Sequence, residues 1–195
     1  MYSPQNTERD ILFSVYNNNK TVFRLNDIAM LIGETNFESL NKRLNYYVQK
    51  SKLLNPRKGI YAKYGYNMLE LAGLLYTPSY ISLEYVLQKA GITFQFDSQT
   101  TVISYQTRKI EIQGVTLSYR KIKNEILADT SGIITDEKGI SMATPERALL
   151  DALYLNSHYN FDNLNSIDVS LVFRLLPLYQ SKILTKRVTK LFNYD

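Results

Sequence analysis

Cysteine and tryptophan are absent from this 195-residue chain, and histidine occurs once, at His158. Without cysteine there is no disulfide framework, no thiolate metal site and no Cys-His nucleophile pair, and a single histidine rules out a multi-histidine metal site. No glycine loop of the phosphate-cradling kind is present, nor any internal repeat or low-complexity tract. No stretch approaches the roughly 18 continuous apolar residues that a membrane helix needs. The start, MYSPQNTERD, lacks the basic residues and apolar run of a secretory signal. These absences lead us to expect a soluble cytoplasmic protein with no metal, no cofactor and no membrane partner.

What is present is globular in character. Hydrophobic residues make up 45% of the chain and charged residues 21%, a balance that supports a buried core rather than disorder. The length suits one large domain or two small ones. The net charge of +5 and the pI near 9.2 suit a polyanionic partner. That charge is uneven. Residues 1–75 carry ten Lys or Arg against six acids, residues 76–181 nine against eleven, and residues 182–195 four against one.

The stretch from Gly33 to Tyr61 reads as a helix followed by a basic hairpin. Phe37, Leu40, Leu44, Tyr47 and Val48 recur at three- and four-residue intervals and form one apolar stripe. Thr35 and Glu38 have the T-x-x-E spacing of a capping box. The other face carries Thr35, Ser39, Lys42 and Tyr46, flanked by Arg43 and Gln49. Two short strand-like pieces, 53–55 and 59–62, bracket Pro56-Arg57-Lys58-Gly59, a turn with two cations at its tip. Upstream, Thr7 is placed to cap a first helix containing Ile11, Leu12, Val15 and Tyr16. Asn26 is placed to cap a second, which Gly33 ends, and the connection to the third is tight. The first 75 residues therefore predict a winged helix-turn-helix domain. Its helix would enter the major groove of double-stranded DNA with Thr35, Ser39, Lys42, Arg43, Tyr46 and Gln49, while Arg57 and Lys58 reach phosphate or the minor groove.

Residues 76–195 predict a second, α+β domain. Ser82 caps a helix that Gly91 closes. From Thr100 the period changes to two, with a hairpin across Gln113-Gly114 and a further pair around 136–139. The expectation is a small, mostly antiparallel sheet packed by helices. Thr144-Pro145-Glu146 opens a strongly apolar helix. The last helix, about 178–192, carries Lys182, Lys186 and Lys190 at i, i+4, i+8 beside Arg187. That stripe is either a solvated face or a contact for a partner or phosphate. Asp136-Glu137-Lys138, with Asp129 upstream, has the D/E-x-K spacing of metal-dependent nucleases but ends in the glycine of a turn. His158 sits in a polar loop with no evident acid-base partner.

Two segments carry a family resemblance: Pro78-Ser79-Tyr80-Ile81-Ser82-Leu83-Glu84-Tyr85-Val86-Leu87, ending at Gly91-Ile92, and Ala143-Thr144-Pro145-Glu146-Arg147-Ala148-Leu149-Leu150-Asp151, continuing to Tyr154-Leu155. With the N-terminal helices they resemble the AbiEi family, antitoxins of abortive-infection, type IV toxin-antitoxin systems. The resemblance runs from about residue 5 to the last helix. It implies a non-enzymatic, phage-defence regulator whose winged helix represses its own operon. The C-terminal domain would counteract a nucleotidyltransferase-like toxin without a stable complex between the two. The alternatives are a stand-alone winged-helix transcriptional regulator and, further off, a metal-dependent nuclease.

Overall fold

The computed structural model describes residues 4–95 and 98–192. The chain divides into two compact units, 1–74 with 137–139, and 75–136 with 140–195. No helix among the described residues is long and apolar enough to cross a membrane.

The first unit contains α1 (Pro4–Asn17), β1 (Val22–Arg24), α2 (Leu25–Ile32), α3 (Phe37–Gln49), β2 (Leu54–Arg57), β3 (Ile60–Ala62) and α4 (Met68–Leu75). The strands form an antiparallel sheet in the order β1-β3-β2. Its core joins Ile11 and Val15 of α1, Phe23 of β1, Ile28 and Ala29 of α2, Leu40, Leu44 and Tyr47 of α3, Leu53 and Tyr61. Each helix thus turns one apolar stripe inward, which is where most helical stability comes from. Glu70 of α4 is buried but satisfied: its carboxylate accepts from the Thr21 N–H at 2.8 Å, the Thr21 hydroxyl at 2.6 Å and the Val22 N–H at 3.2 Å. It takes up backbone donors at the start of β1 that burial would otherwise orphan.

Helix starts differ from the expected caps. α1 begins at Pro4, so Thr7 lies within it. α2 begins at Leu25, placing Asn26 in its first turn; the Asp27 carboxylate accepts from the Arg24 N–H at 2.8 Å. α3 is capped by Asn36, not Thr35, with the Ser39 N–H donating to Asn36 Oδ1 at 2.9 Å. Glu38, freed from capping, pairs with Lys42. Gly33 does terminate α2, in the left-handed conformation at φ 68°. Phe37 is 46% exposed and lies outside the buried stripe.

The second unit contains β4 (Ser79–Ile81), α5 (Glu84–Lys89), β5 (Thr100–Ser104), β6 (Arg108–Ile112), β7 (Val115–Lys121), α6 (Asn124–Ala128), β8 (Ile133–Thr135), β9 (Ser141–Ala143), α7 (Pro145–Leu155), α8 (Val169–Leu175), a 3-10 turn (Leu176–Tyr179) and α9 (Lys182–Leu191). The class is α+β, but the sheet is larger and more mixed than expected: six strands in the order β6-β7-β5-β4-β9-β8. β5 with β7 and β4 with β9 are parallel, and the other three pairs are antiparallel. The tight turn at Gln113-Gly114, both at positive φ, makes β6 and β7 a hairpin. It is β7, not β6, that then pairs with β5.

α7 is buried from Glu146 through Leu153. Thr144 caps it as predicted, accepting from the Arg147 N–H at 3.3 Å. Ser82 does not cap α5. Its hydroxyl donates to Asp151 Oδ2 at 2.7 Å, and Leu83 takes the position before the helix at φ 58°. The last helix starts at Lys182 behind a Ser181 cap, because Pro177 places the residues before it in a 3-10 turn.

Candidate nucleic-acid interface

α3 turns Leu40, Leu44 and Tyr47 fully inward, so its rotation is set. At 100° per residue, the opposite ridge is Glu38, Lys42, Asn45 and Gln49, all exposed. Ser39 and Tyr46 flank it on one side and Asn41 on the other. Among the sequence-predicted positions, Thr35, Ser39, Lys42, Tyr46 and Gln49 are exposed, and Arg43 is half-buried. A shallow recess of about 320 Å³ is lined by Lys42, Arg43, Tyr46 and Tyr47.

Both of the expected cations on α3 are already paired. Lys42 Nζ lies 2.7 Å from Glu38 Oε1, with both side chains largely exposed. Such a pair contributes at most about 1 kcal/mol and exchanges readily for a phosphate or base. Arg43 is held by Glu34, with roughly a quarter of each side chain exposed. The Asn36 N–H, ahead of the Arg43 guanidinium, holds the Glu34 carboxyl below its ordinary value despite opposing desolvation. Arg43 is therefore more firmly committed within the protein than Lys42. Further cations stand nearby: Lys50 Nζ lies 5.8 Å from the Tyr46 ring centre and Lys52 Nζ 5.7 Å from that of Tyr47.

The hairpin turn is shorter than the sequence suggests, because Pro56 and Arg57 belong to β2 and only Lys58 and Gly59 form the tip. Gly59 is at φ 77°, where a side chain is strained. Asn55 Nδ2 donates to the carbonyls of Arg57 at 2.9 Å and Ile60 at 2.7 Å and closes the turn. Lys58 is exposed and Arg57 half-buried. The link between hairpin and helix was missed in the sequence. The Tyr61 hydroxyl of β3 donates to Asn41 Oδ1 at 2.8 Å and lies 3.3 Å from Asn45 Oδ1. The i, i+4 spacing of the two asparagines was the available signal.

In the second unit the two family-like segments converge on a buried polar cluster. Asp151 accepts from the hydroxyls of Tyr179 at 2.6 Å, Ser82 at 2.7 Å and Tyr80 at 3.1 Å. Arg147 Nε lies 3.6 Å from Asp151 Oδ1 with both side chains 0% exposed, and the guanidinium donates to the carbonyls of Ile126 and Ser131. Burial pushes the Asp151 carboxyl up, against the pull of Arg147 and the hydroxyls. Burial, reinforced by Asp151, raises Tyr80 and Tyr179, which stay protonated as donors. The cluster joins β4, α7 and the 3-10 turn, and reaches no surface.

Lys182, Lys186 and Lys190 are exposed, but Arg187 turns inward and donates to the Leu153 carbonyl at 2.9 Å. Asp136 Oδ1 accepts from the Ile140 N–H, and Asp129 Oδ1 from the Ser131 N–H, so both carboxylates close turns. Among the described residues no group of three or more His, Asp or Glu could hold a metal. His158 is exposed beside a polar cleft of about 470 Å³ that also involves Glu84, Thr93, Asn156 and Asp162. There the Asp162 carboxylate accepts from the Phe94 N–H at 2.6 Å and so closes a loop.

No protein-family model matches the chain, and no curated protein matches it. Among solved structures, it is similar to the RV2827C protein of Mycobacterium tuberculosis, with a TM-score of 0.57 at 13% identity, over 96% of this chain and 76% of that one. At this identity the likeness is one of fold.

Proposed function

We propose that the protein is a DNA-binding autorepressor and antitoxin of an AbiE-like, type IV toxin-antitoxin system, with a winged helix-turn-helix over its first 75 residues. The supporting observation is the outer face of α3, exposed along its length and backed by an antiparallel hairpin whose tip is Lys58-Gly59. In this reading α3 enters the major groove, where Lys42 donates to guanine O6 and N7 and Gln49 pairs with adenine. Lys58 and Arg57 contact the backbone, and Ser39 and Tyr46 supply further hydrogen bonds. The protein performs no chemistry; its effect on transcription comes from occupying the operator of its own operon.

The antitoxin role rests on the two family-like segments. Because their polar residues are buried together, they build the second domain, and its outer surface would oppose a nucleotidyltransferase-like toxin.

Selection from a random duplex pool tests the first part. The full chain should enrich one sequence, found upstream of its own gene, and enrichment of none overturns DNA reading. Lys42→Ala and Lys58→Ala should each weaken binding, and loss of a phosphate contact should lower the slope of log K against log salt by about 0.9. Co-expression with a neighbouring nucleotidyltransferase should restore growth. Failure to do so, with operator binding intact, leaves a stand-alone regulator.

A further inference from the structure

Tyr61 is 1% exposed and packed in the core of the first unit, so its hydroxyl is a fixed, buried point between hairpin and α3. Asn41 and Asn45 meet it one helical turn apart, the first half-buried and the second exposed. The Tyr61 hydroxyl proton is shared between Asn41 Oδ1 at 2.8 Å and Asn45 Oδ1 at 3.3 Å. Both amides keep their NH2 groups, and Asn45 Oδ1 keeps its second lone pair for a ligand. Asn45 stands on the outermost ridge, between Lys42 and Gln49. An asparagine amide presents a donor and an acceptor side by side, matching adenine N7 and N6–H2 in the major groove. A side chain already positioned has less freedom to lose on binding.

We propose that Asn45 is an adenine-reading residue of α3 beside Gln49, held in place by the Tyr61 hydroxyl, which Asn41 orients as its other acceptor. Nδ2 donates to adenine N7, and Oδ1 accepts from N6. The inference rests on the DNA-reading proposal and names a specificity residue that the sequence pattern passed over. Burial raises the Tyr61 hydroxyl above its ordinary value, which keeps it a donor at neutral pH.

Fluorescence anisotropy on the full chain tests it, using the pool-selected duplex, the same duplex with 7-deazaadenine at each selected adenine in turn, and a scrambled duplex. At one adenine the analogue should weaken wild-type binding. Asn45→Ala should lose about 5- to 150-fold on the selected duplex, become indifferent to the analogue there, and bind the scrambled duplex as the wild type does. Tyr61→Phe, which keeps the buried ring, should show a smaller loss on the selected duplex and none on the scrambled one. If the wild type selects a sequence but Asn45→Ala keeps both its affinity and its sensitivity to the analogue, the assignment is overturned while DNA reading stands. If the wild type selects no sequence, both are overturned.

Discussion

Glu34 and Glu38 limit the positive charge that α3 can offer, and they do so unequally. Glu38 and Lys42 are both largely exposed, so the pair gives way to a phosphate at little cost. Glu34 is tied by the Asn36 N–H as well as by Arg43. Replacing it, as in Glu34→Gln, should release Arg43 and, on the proposed DNA-reading role, tighten binding to the pool-selected duplex at neutral pH and steepen the salt slope by about 0.9 if the freed arginine meets phosphate. The sign of its pH dependence follows from the lowered carboxyl. The native state binds fewer protons than the unfolded chain, so the contribution is present above the ordinary value of 4.5 and is lost as pH falls through the lower native value. Urea unfolding between neutral pH and pH 3 should therefore show the wild type losing its advantage over Glu34→Gln in acid. In the second unit, Arg147→Ala leaves Asp151 buried without its cation, and should cost about 3–5 kcal/mol in the same measurement. The paired change Arg147→Met with Asp151→Leu should cost less than the two singles together, because it removes both desolvated charges.

Element boundaries turn on which side chain reaches a backbone donor. Asn36→Ala should lower stability by about 1 kcal/mol in chemical denaturation, with Thr35→Ala nearly silent, since Asn36 makes the bond to the Ser39 N–H. Thr35 and Asn36 are both good caps one residue apart, and the T-x-x-E spacing favoured the wrong one. At Ser82 the local signal was again a cap, but the hydroxyl is taken by Asp151, 69 residues away. Pinned there, and by backbone and side-chain bonds to Thr101, the chain holds Leu83 in the left-handed region, at φ 58°. Gly132 has its own requirement. At φ +72° an added Cβ would stand 2.9 Å from Leu175 Cδ1 and 3.1 Å from Arg147 Cβ. Gly132→Ala should therefore cost more than the roughly 1–2 kcal/mol of the left-handed backbone alone, read as a lowered denaturation midpoint.

For the molecule as a whole, stability should be distributed around α7 and the first unit's core. Amides of α7, buried through eight consecutive residues, should exchange in deuterium only by unfolding of their whole unit, whereas those around Lys58-Gly59 should exchange early. Periodicity and turn chemistry were enough to place α1–α3, the hairpins, α7 and the exposure of Ser39, Lys42, Tyr46 and Gln49, because these depend on neighbours within a few residues. The strand order was not readable. Whether β6 or β7 lies beside β5 depends on pairing between distant strands, and either choice leaves the alternating pattern unchanged. β4 was not foreseen as a strand, since three residues carry too little period to detect.

The sequence by itself determined the apolar stripe of α3, the Gly33 stop, the Thr144-Pro145 start and the basic character of the two ends, because each is written in local spacing or charge. Tertiary structure decided which cations are already paired, brought Tyr61 to Asn41 and Asn45, and gathered Tyr80, Ser82, Arg147, Asp151 and Tyr179 into one buried cluster. Those contacts join residues up to 71 positions apart, and a hydrogen bond of that span leaves no periodic trace along the chain.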